Sequence, residues 1–387
     1  MINDPRTPNA FARPIAYKPS GSHGVIKIVF GILAALVALL LGLIVLLLIG
    51  VETGPVALLI GLVSATVPVP IYLVLVLWID RYEAEPFWML ATAFFWGAMV
   101  AVFFAFLINT VSGVAVTLVT NSMSAGRTFG AVISAPIVEE SSKALILLIF
   151  FFWKKDEFDG VIDGIVYAAM AGLGFAMTEN IQYYGKAVME GGGGGLTFVF
   201  ILRGALAPFS HPMFTSLTGI GLGLARQSRN TAVKFIAPVL GLMAAISMHS
   251  IWNGSGVIFG GTAFILTYIL IMIPAFFIML VVILLALRRE GQIVREYLGP
   301  DFQGGLLTQQ EYNQLCSVIG RMGYSFNALT RGGFGHWRIA RQLNQTASEL
   351  AFHRSRVARG ISAADARERE AAYRQALEDM LKRLRGN

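Results

Sequence analysis

Long apolar runs restrict the fold of this sequence more than any other feature. The first one reads VIKIVFGILAALVALLLGLIVLLLIG at residues 25–50, and several later runs have a similar length. About 20 apolar residues in a helix are enough to cross the hydrocarbon core of a bilayer. The runs do not alternate apolar and polar residues, which disfavours a membrane β-barrel. We therefore predict an all-α, polytopic membrane protein.

The composition supports a chain that lies mostly within lipid. Charged residues make up 14% of the sequence, whereas soluble domains carry roughly 25%. The first run is too long for the apolar region of a signal peptide, so we expect it to be retained as a span. The single Cys316 excludes a disulfide framework and a cysteine metal site. The net charge of +7 is attributed to basic loops at the membrane surface, with no nucleic-acid partner.

The apolar runs predict about eight spans. Their predicted limits are 25–50, 55–79, 87–109, 128–153, 159–184, 196–225, 235–256 and 264–287. The run GGGGG at residues 191–195 predicts a flexible loop between two of them.

Basic residues predict the orientation, because cytoplasmic loops are enriched in Lys and Arg. One set of loops contains Arg6, Arg13, Lys18, Lys27, Arg81, Lys154, Lys155, Arg226, Arg229, Lys234, Arg288 and Arg289. The other set has little beyond Arg127, Lys186 and Arg203. This alternation predicts that both termini are cytoplasmic.

The composition changes after the last span. Apolar residues there recur at helical spacing among charged ones, as in EYNQLCSVIGRM and WRIARQLNQTASELAF. We predict three regions: a cytoplasmic N-terminal tail at 1–24, a transmembrane domain at 25–287, and a soluble basic helical tail at 288–387. The last region is a small cytoplasmic helical domain, either a solvated appendage or a regulatory or partner-binding module.

Ionisable residues interrupt the apolar runs in four places. Each costs at least about 2.5–3.5 kcal/mol at the centre of a membrane helix, so a functional role is the default interpretation. The first place is APIVEESSKALILLIF, with Glu139, Glu140 and Lys143. Lys143 lies one helical turn from both acids, and the acids are about 100° apart around the axis. One acid can therefore pair with Lys143 while the other faces a site, although a purely structural ion pair has the same spacing.

The second place is GLGFAMTENIQYYG, with Glu179 and Asn180. Gly172 and Gly174, about two turns earlier, allow another helix to approach closely. Solvation at the membrane interface is the alternative explanation for this acidic residue.

The remaining two places contain histidines. His211 stands between Pro208 and Pro212 in APFSHPMFT, which predicts a broken or kinked helix. His249 precedes Asn253 by one turn in SMHSIWN. Either histidine could instead make an ordinary hydrogen bond between helices.

The depth of these residues links the four places. Counting along the predicted spans puts Glu139 and Glu140 near the middle of the membrane. It puts Glu179, His211 and His249 in the outer half. If the spans pack together, the five side chains converge in a cavity that opens to the outside.

Two imidazoles with carboxylates are a common ligand set for catalytic zinc, which keeps one position for water. Bound zinc lowers the pKa of that water to about 7, and a second carboxylate then acts as general base and acid. Iron and manganese accept the same ligands. The zinc protease signature HExxH is not present in the sequence. Without a metal, a glutamate could activate water while the histidines and Asn253 stabilise an oxyanion.

The motifs resemble those of the PrsW family of intramembrane proteases. EESSK matches EExxK, FAMTEN matches FxxxEN, and HPMFT and HSIWN match the paired histidine motifs, in the order of the family. DRYEAEP at residues 80–86 is similar to the acidic loop of that family. The resemblance covers about residues 70–256.

The resemblance implies a metalloprotease of the prokaryotic cell membrane that is distantly similar to CAAX prenyl endopeptidases. It implies a first, outer-side cut in a membrane-anchored anti-sigma factor. It also implies that Glu139, Glu140 and His211 are the essential residues, with Glu179 and His249 beside them.

These observations together predict a multi-pass protease that cuts membrane-anchored proteins near the outer boundary of the bilayer. Glu139 or Glu140 would activate water. The predicted catalytic residues are Glu139, Glu140, Lys143 and Asn253. The predicted zinc ligands are His211, His249 and Glu179. The expected partners are a membrane-anchored protein substrate and the lipid bilayer, and the sequence leaves the oligomeric state open.

Two other functions use the same residues. A CAAX-type prenyl endopeptidase acts on a cytoplasmic C-terminus, so its site should open inward, against the depth argument. A proton-coupled transporter or scaffold could use the buried Glu and His residues as a relay. The sequence has no repeated halves of the kind common in transporters.

Overall fold

The structure, a computed structural model, describes residues 24–360 and 365–385. Residues 1–23, which make up most of the predicted N-terminal tail 1–24, lie outside the described residues. Among the described residues every regular element is helical, which confirms the predicted all-α class.

The membrane part contains helices α1 to α12, and the tail contains α13 to α15. In chain order they are α1 Gly24–Thr53, α2 Pro55–Thr66, α3 Val69–Ile79, α4 Phe87–Phe95, α5 Val102–Thr120, α6 Met123–Phe129, α7 Ala135–Trp153, α8 Val161–Phe200, α9 Ser210–Gln227, α10 Thr231–Val257, α11 Gly260–Thr267, α12 Ile273–Gln303, α13 Gln309–Leu315, α14 Val318–Ala358 and α15 Ala366–Arg385. π-Helical stretches join some of these helices at Trp96–Ala101, Gly130–Ser134, Ile201–Leu206 and Tyr268–Met272.

The described residues include six helical segments that are long and apolar enough to cross a membrane. They are Ile28–Thr53, Pro55–Ile79, Phe87–Thr120, Val161–Gln227, Thr231–Val257 and Gly260–Gln303. The polytopic class is thereby supported, while the count of eight spans stays a prediction. Two of the predicted spans fall together in Val161–Gln227. The predicted span 128–153 corresponds to α7, which carries three charged residues and is not one of the six.

Helix α8 lies at the centre of the membrane part, since every residue from Ile162 to Ala176 is buried. Gly172 explains how closely the histidine-bearing turn approaches it. A Cβ on Gly172 would lie 2.7 Å from the backbone nitrogen of Pro212 and 2.8 Å from the carbonyl oxygen of His211. A larger residue would therefore separate α8 from α9, and the predicted close approach at Gly172 is confirmed.

Two interruptions of the helices matter for the site. The chain leaves helical geometry at Ala207, and α9 begins at Ser210, which confirms the break predicted beside Pro208. The predicted loop at residues 191–195 is narrower than expected. The helix is regular on either side of Gly192 and is broken at that residue, where φ is 55°. The break falls on a glycine because only glycine adopts this backbone conformation readily.

A second compact unit comprises Leu284 onward together with the short segment Arg81–Ala84. Within this unit Arg321 is buried and forms hydrogen bonds to backbone carbonyl oxygens of Arg81, Tyr82, Leu315 and Asn344. The domain limit at 287/288 stays a prediction, although the unit begins close to it.

Candidate active site

Four helices supply the polar side chains of the candidate site. Glu139 and Glu140 lie on α7, Glu179 on α8, His211 on α9 and His249 on α10. Helix α7 continues from a π-helical turn, so its first turn, which contains Pro136, is not a free helix end near the two acids.

The side chains of the four sequence motifs meet in the structure, as their common depth predicted.

Glu139, His211 and His249 form a group that can hold a metal ion. One ligand atom from each lies within 4.8 Å of the others, and all three residues are buried. The Nε2 atom of His249 is 3.9 Å from Oε2 of Glu139. Among the described residues, this carboxylate oxygen has no hydrogen-bond partner. Two imidazoles and a carboxylate with a spare oxygen fit a divalent metal such as zinc.

Glu140 has a different environment, since its side chain is fully buried and already has several partners. Its Oε1 atom accepts a hydrogen bond from Nζ of Lys143 at 2.6 Å and lies 3.0 Å from Nδ1 of His249. Its Oε2 atom accepts a hydrogen bond from the hydroxyl of Thr215 at 2.9 Å. A carboxylate on the far nitrogen of a metal-binding histidine fixes the orientation of the ring. Glu140 therefore orients His249.

Lys143 connects α7 with α8 and α9. Besides Glu140, its Nζ atom lies 3.3 Å from Nδ1 of His211 and 4.4 Å from the ring centre of Phe175. The side chain of Lys143 is completely buried. As helical geometry predicts, it pairs with only one of the two adjacent acids.

Glu179 pairs with Arg203, a residue that the sequence argument assigned to a loop. Arg203 donates hydrogen bonds to Glu179 and, at 2.6 Å, to Oδ1 of Asn180, and it stacks over Tyr183 at 3.8 Å. Oε2 of Glu179 also lies 3.1 Å from Nε2 of His211. Arg203 falls inside the predicted span 196–225. A charged residue within a membrane span is a candidate for a functional site, and this signal could have identified Arg203 as a site residue.

Asn253 lies at the edge of the site. Its side chain donates a hydrogen bond to the carbonyl of Ala131 at 2.9 Å, which ties α10 to the π-helical stretch before α7. Together with Arg203 and His211 it lines a polar cavity of about 210 Å³. Asn253 is thus next to the site without contacting the metal-capable group.

The structure brings the predicted residues together. Glu139 forms a group with both histidines, whereas Glu179 lies beside His211 and pairs with Arg203. The assignment of Glu179 as a metal ligand stays a prediction.

The acidic loop DRYEAEP has a structural environment of its own. Tyr167 on α8 donates a hydrogen bond to Glu85, and the backbone N–H of Glu85 donates to Asp80 at 2.8 Å. Burial raises the pKa of Glu85 well above its usual value. This carboxyl group anchors the loop to α8 and does not contact the histidines.

Comparison with known proteins gives a family match. The family model described as "PrsW family intramembrane metalloprotease" matches residues 85–280, about half of the chain. "Protease PrsW" of Geobacillus kaustophilus is 31% identical over 147 residues, which are 38% of this chain and 58% of that protein. "Protease PrsW" of Bacillus subtilis is 32% identical over 176 residues, which are 45% of this chain and 72% of that protein. "Protease PrsW" of Oceanobacillus iheyensis is 33% identical over 106 residues, 26% of this chain and 42% of that protein.

The chain thus spans more than half of the Geobacillus relative and nearly three quarters of the Bacillus relative. No solved structure matches it. The candidate site lies wholly within the matched residues, whereas α13 to α15 lie beyond them.

Proposed function

The chain belongs to the PrsW family of intramembrane metalloproteases, and from that premise we propose that it is an endopeptidase for membrane-anchored proteins. It cuts them near the outer boundary of the cell membrane, with anti-sigma factors as the substrate class that the family resemblance implies. One observation carries this proposal: Glu139, His211 and His249 bring their ligand atoms within 4.8 Å of one another in a buried site.

These three residues would hold the metal, for which zinc is the best fit to two imidazoles and one carboxylate. When bound, such a metal polarises the scissile carbonyl and makes its water ligand more acidic. The charge of the site favours a cation. If all three carboxyl groups are ionised, Glu139, Glu140 and Glu179 face two cations, Lys143 and Arg203, and one negative charge is left over. An uncompensated charge in a low-dielectric site is costly, and a bound cation removes it.

Glu179 is the best candidate for the general base. Its side chain is 20% exposed, whereas the side chain of Glu140 is fully buried, so water reaches only the former. Glu179 accepts the proton of the attacking water and returns it to the leaving amine. The sequence argument had the base at Glu139 or Glu140 and a ligand at Glu179, and we propose that Glu139 and Glu179 exchange these roles.

The remaining polar residues position the ring of His249 and stabilise the carbonyl oxygen that becomes negative during the reaction. Glu140 holds the ring of His249 through Nδ1, and Lys143 pairs with Glu140. Arg203 and Asn253 line the polar cavity beside His211, where a carbonyl oxygen that becomes negative would need N–H donors. Arg203 has further N–H groups for this role, and Asn253 has a second amide N–H.

A cleavage assay in liposomes tests the proposal. The purified protein is reconstituted with a panel of single-span anti-sigma factors, and new termini are mapped by mass spectrometry. We expect cuts near the outer boundary that disappear in Glu139→Gln, His249→Ala and Glu179→Gln. Glu190→Gln, which changes a carboxylate in no motif, serves as the matched control and should cleave normally. Equal cleavage by wild type and Glu139→Gln would refute the proposed site.

A proton relay is the second candidate, and a specific observation favours it. Close polar contacts run without a break from Thr215 through Glu140, Lys143, His211 and Glu179. A relay predicts proton flux into liposomes that hold the protein without any substrate. Flux that vanished in Glu140→Gln, together with no peptide cleavage, would favour the relay over the protease.

A further inference from the structure

An apolar cavity of about 400 Å³ lies beside the histidine-bearing turn. It is lined by residues of the π-helical stretches Ile201–Leu206 and Tyr268–Met272, of the break after the first stretch, and of helices α9, α10 and α12. Phe209, Met213, Trp252 and Phe276 contribute large apolar surfaces to its wall. Its volume falls within the roughly 300–1,000 Å³ that is usual for small-molecule sites. The cavity is therefore large enough for a bulky side chain.

The hydroxyl groups in the wall of this cavity have partners within the protein. Tyr268 donates a hydrogen bond to the carbonyl of Leu206 at 2.9 Å. Ser210 donates one to the carbonyl of Ala207 at 3.1 Å. A guest in this cavity consequently meets mainly hydrocarbon, and its binding depends on apolar area.

The apolar cavity adjoins the candidate active site. Ala207, Pro208, Ser210 and Trp252 line both this cavity and the polar cavity that His211 also lines. The two cavities are therefore neighbours, at the spacing of adjacent parts of one guest. Such a guest needs a polar portion beside His211 and a bulky apolar portion within a few bonds of it. A peptide has this combination, because its polar backbone carries apolar side chains.

We propose that the apolar cavity is the substrate subsite for a large apolar side chain, such as leucine, methionine or phenylalanine, next to the bond that is cut. This inference rests on the proposed protease function and adds a sequence preference to it. A side chain in the cavity places the adjoining peptide bond in the polar cavity beside His211, so the subsite also sets the position of the cut.

The charge of the polar cavity favours a peptide over a phospholipid. The guanidinium group of Arg203 is the cation among its described lining residues, and this group is already paired with Glu179, which disfavours a phosphate group. A peptide bond is uncharged and requires only donors and acceptors.

The position of the exposed wall residues is consistent with entry from the bilayer. Leu206 is 51% exposed and Phe277 is 58% exposed. Both lie on helical segments that are long and apolar enough to cross a membrane. A membrane-anchored substrate can reach the cavity sideways, without leaving the lipid.

The first test measures the sequence preference. Once a cut is mapped in a single-span substrate, the residues on either side are replaced in turn by Ala, Leu and Phe. For one of the two positions, we expect wild type to cleave the Leu or Phe substrate at least about 10-fold faster, by kcat/KM, than the Ala substrate. Ala205→Phe, which inserts a ring into the cavity, should reduce this ratio about 10-fold or more. Phe276→Ala, which enlarges the cavity, should shift the preference toward Trp.

A matched control is Phe235→Ala, which removes a phenyl ring that is 72% exposed on α10 and lines neither cavity. It should keep the wild-type ratio. A ratio that is the same in wild type, Ala205→Phe and Phe276→Ala would overturn the subsite. If Ala205→Phe reduced kcat/KM by the same factor for the Ala, Leu and Phe substrates, the subsite would also be overturned. Such a result would mean that the new ring blocks access of every substrate, whatever its side chain.

A second test measures occupancy without cleavage and separates the subsite from the proposed function. A photoreactive phenylalanine analogue replaces Phe276, and the protein is irradiated in phosphatidylethanolamine–phosphatidylglycerol vesicles with synthetic single-span peptides. Each peptide carries Phe or Ala at one of several successive positions near the outer end of its span. We expect a peptide adduct that is several-fold stronger with Phe than with Ala at one of these positions. Such an adduct from a protein that cleaves nothing would retain the subsite and refute the protease. Adducts with phospholipid alone, or equal adducts with the Phe and Ala peptides at every position, would overturn the subsite.

Discussion

Two buried cations, Lys143 in the membrane part and Arg321 in the C-terminal unit, are stabilised in different ways. The ammonium of Lys143 contacts Glu140 and His211, and its side chain has no exposed surface. The guanidinium of Arg321, 4% exposed, donates to backbone carbonyl oxygens and to the hydroxyl of Ser348, and lies 4.5 Å from the ring centre of Tyr82.

The difference lies in whether the partners can change their protonation. A carboxylate and an imidazole are titratable groups that can gain or lose protons, whereas backbone carbonyl groups cannot. Burial lowers the pKa of Arg321 to about 10, so this residue stays charged at neutral pH and its hydrogen bonds persist. The environment of Lys143 suits proton chemistry, and that of Arg321 suits a fixed structure that holds residues 81–84 against the C-terminal helices.

The largest expected effect comes from removing Glu140, the carboxylate partner of Lys143. Glu140→Ala leaves a buried ammonium without its counter-ion, which costs about 3–5 kcal/mol of stability. Cleavage should fall about 10–100-fold, because the ring of His249 loses its orientation. Thermal unfolding in detergent and the liposome cleavage assay measure the two losses. The double variant Glu140→Met, Lys143→Met should recover most of the stability and none of the activity, and a double variant as unstable as Glu140→Ala would contradict the ion-pair account.

A smaller effect is expected at Arg321. Arg321→Gln leaves several buried carbonyl groups without a donor, which costs about 1–3 kcal/mol. Arg321→Lys should rescue little of this, because an ammonium cannot reproduce the planar set of five donors. Hydrogen exchange should report faster opening of residues 81–84 and 340–356, with metal content unchanged. An unchanged exchange pattern would show that the arginine does not hold this segment.

The smallest effect is a pH dependence confined to the C-terminal unit. Burial, with a smaller contribution from Arg356 and Arg369, lowers the pKa of His353 below its usual 6.5, while the Ala366 carbonyl and Glu370 act in the opposite direction. The unfolded chain therefore binds more protons than the folded one just below pH 6.5, and stability falls as the pH decreases through that range. Hydrogen exchange of α14 and α15 between pH 7.5 and about 5.5 measures this loss. His353→Gln should remove the slope, and a slope that persisted in this variant would assign it to another group.

Much of the fold and the membership of the site follow from local sequence features. Apolar runs predict the spans, the prolines around His211 predict the break before α9, and the four polar motifs predict one cluster. These features depend on helical geometry within a single segment, which sequence spacing determines.

Other features depend on how different helices are rotated and paired. The i+3 and i+4 spacings allow Lys143 to bind either Glu139 or Glu140, and only the neighbouring helices decide between them. The sequence likewise does not reveal that Arg203 forms an ion pair with Glu179. Nor does it reveal that Glu139 lies beside both histidines. The contact between Arg321 and Arg81 joins residues 240 positions apart, beyond the reach of any local pattern.

Metal content tests the central claim most directly. Purified wild type and variants, each verified as folded, are analysed by elemental mass spectrometry after equilibration with zinc. We expect about one equivalent of zinc in wild type, in Glu179→Gln and in the control His353→Gln. We expect that zinc to be lost in Glu139→Gln, His211→Ala and His249→Ala. Zinc that stayed in Glu139→Gln and disappeared in Glu179→Gln would contradict the assignment, and would return Glu179 to the ligand role that the sequence predicted.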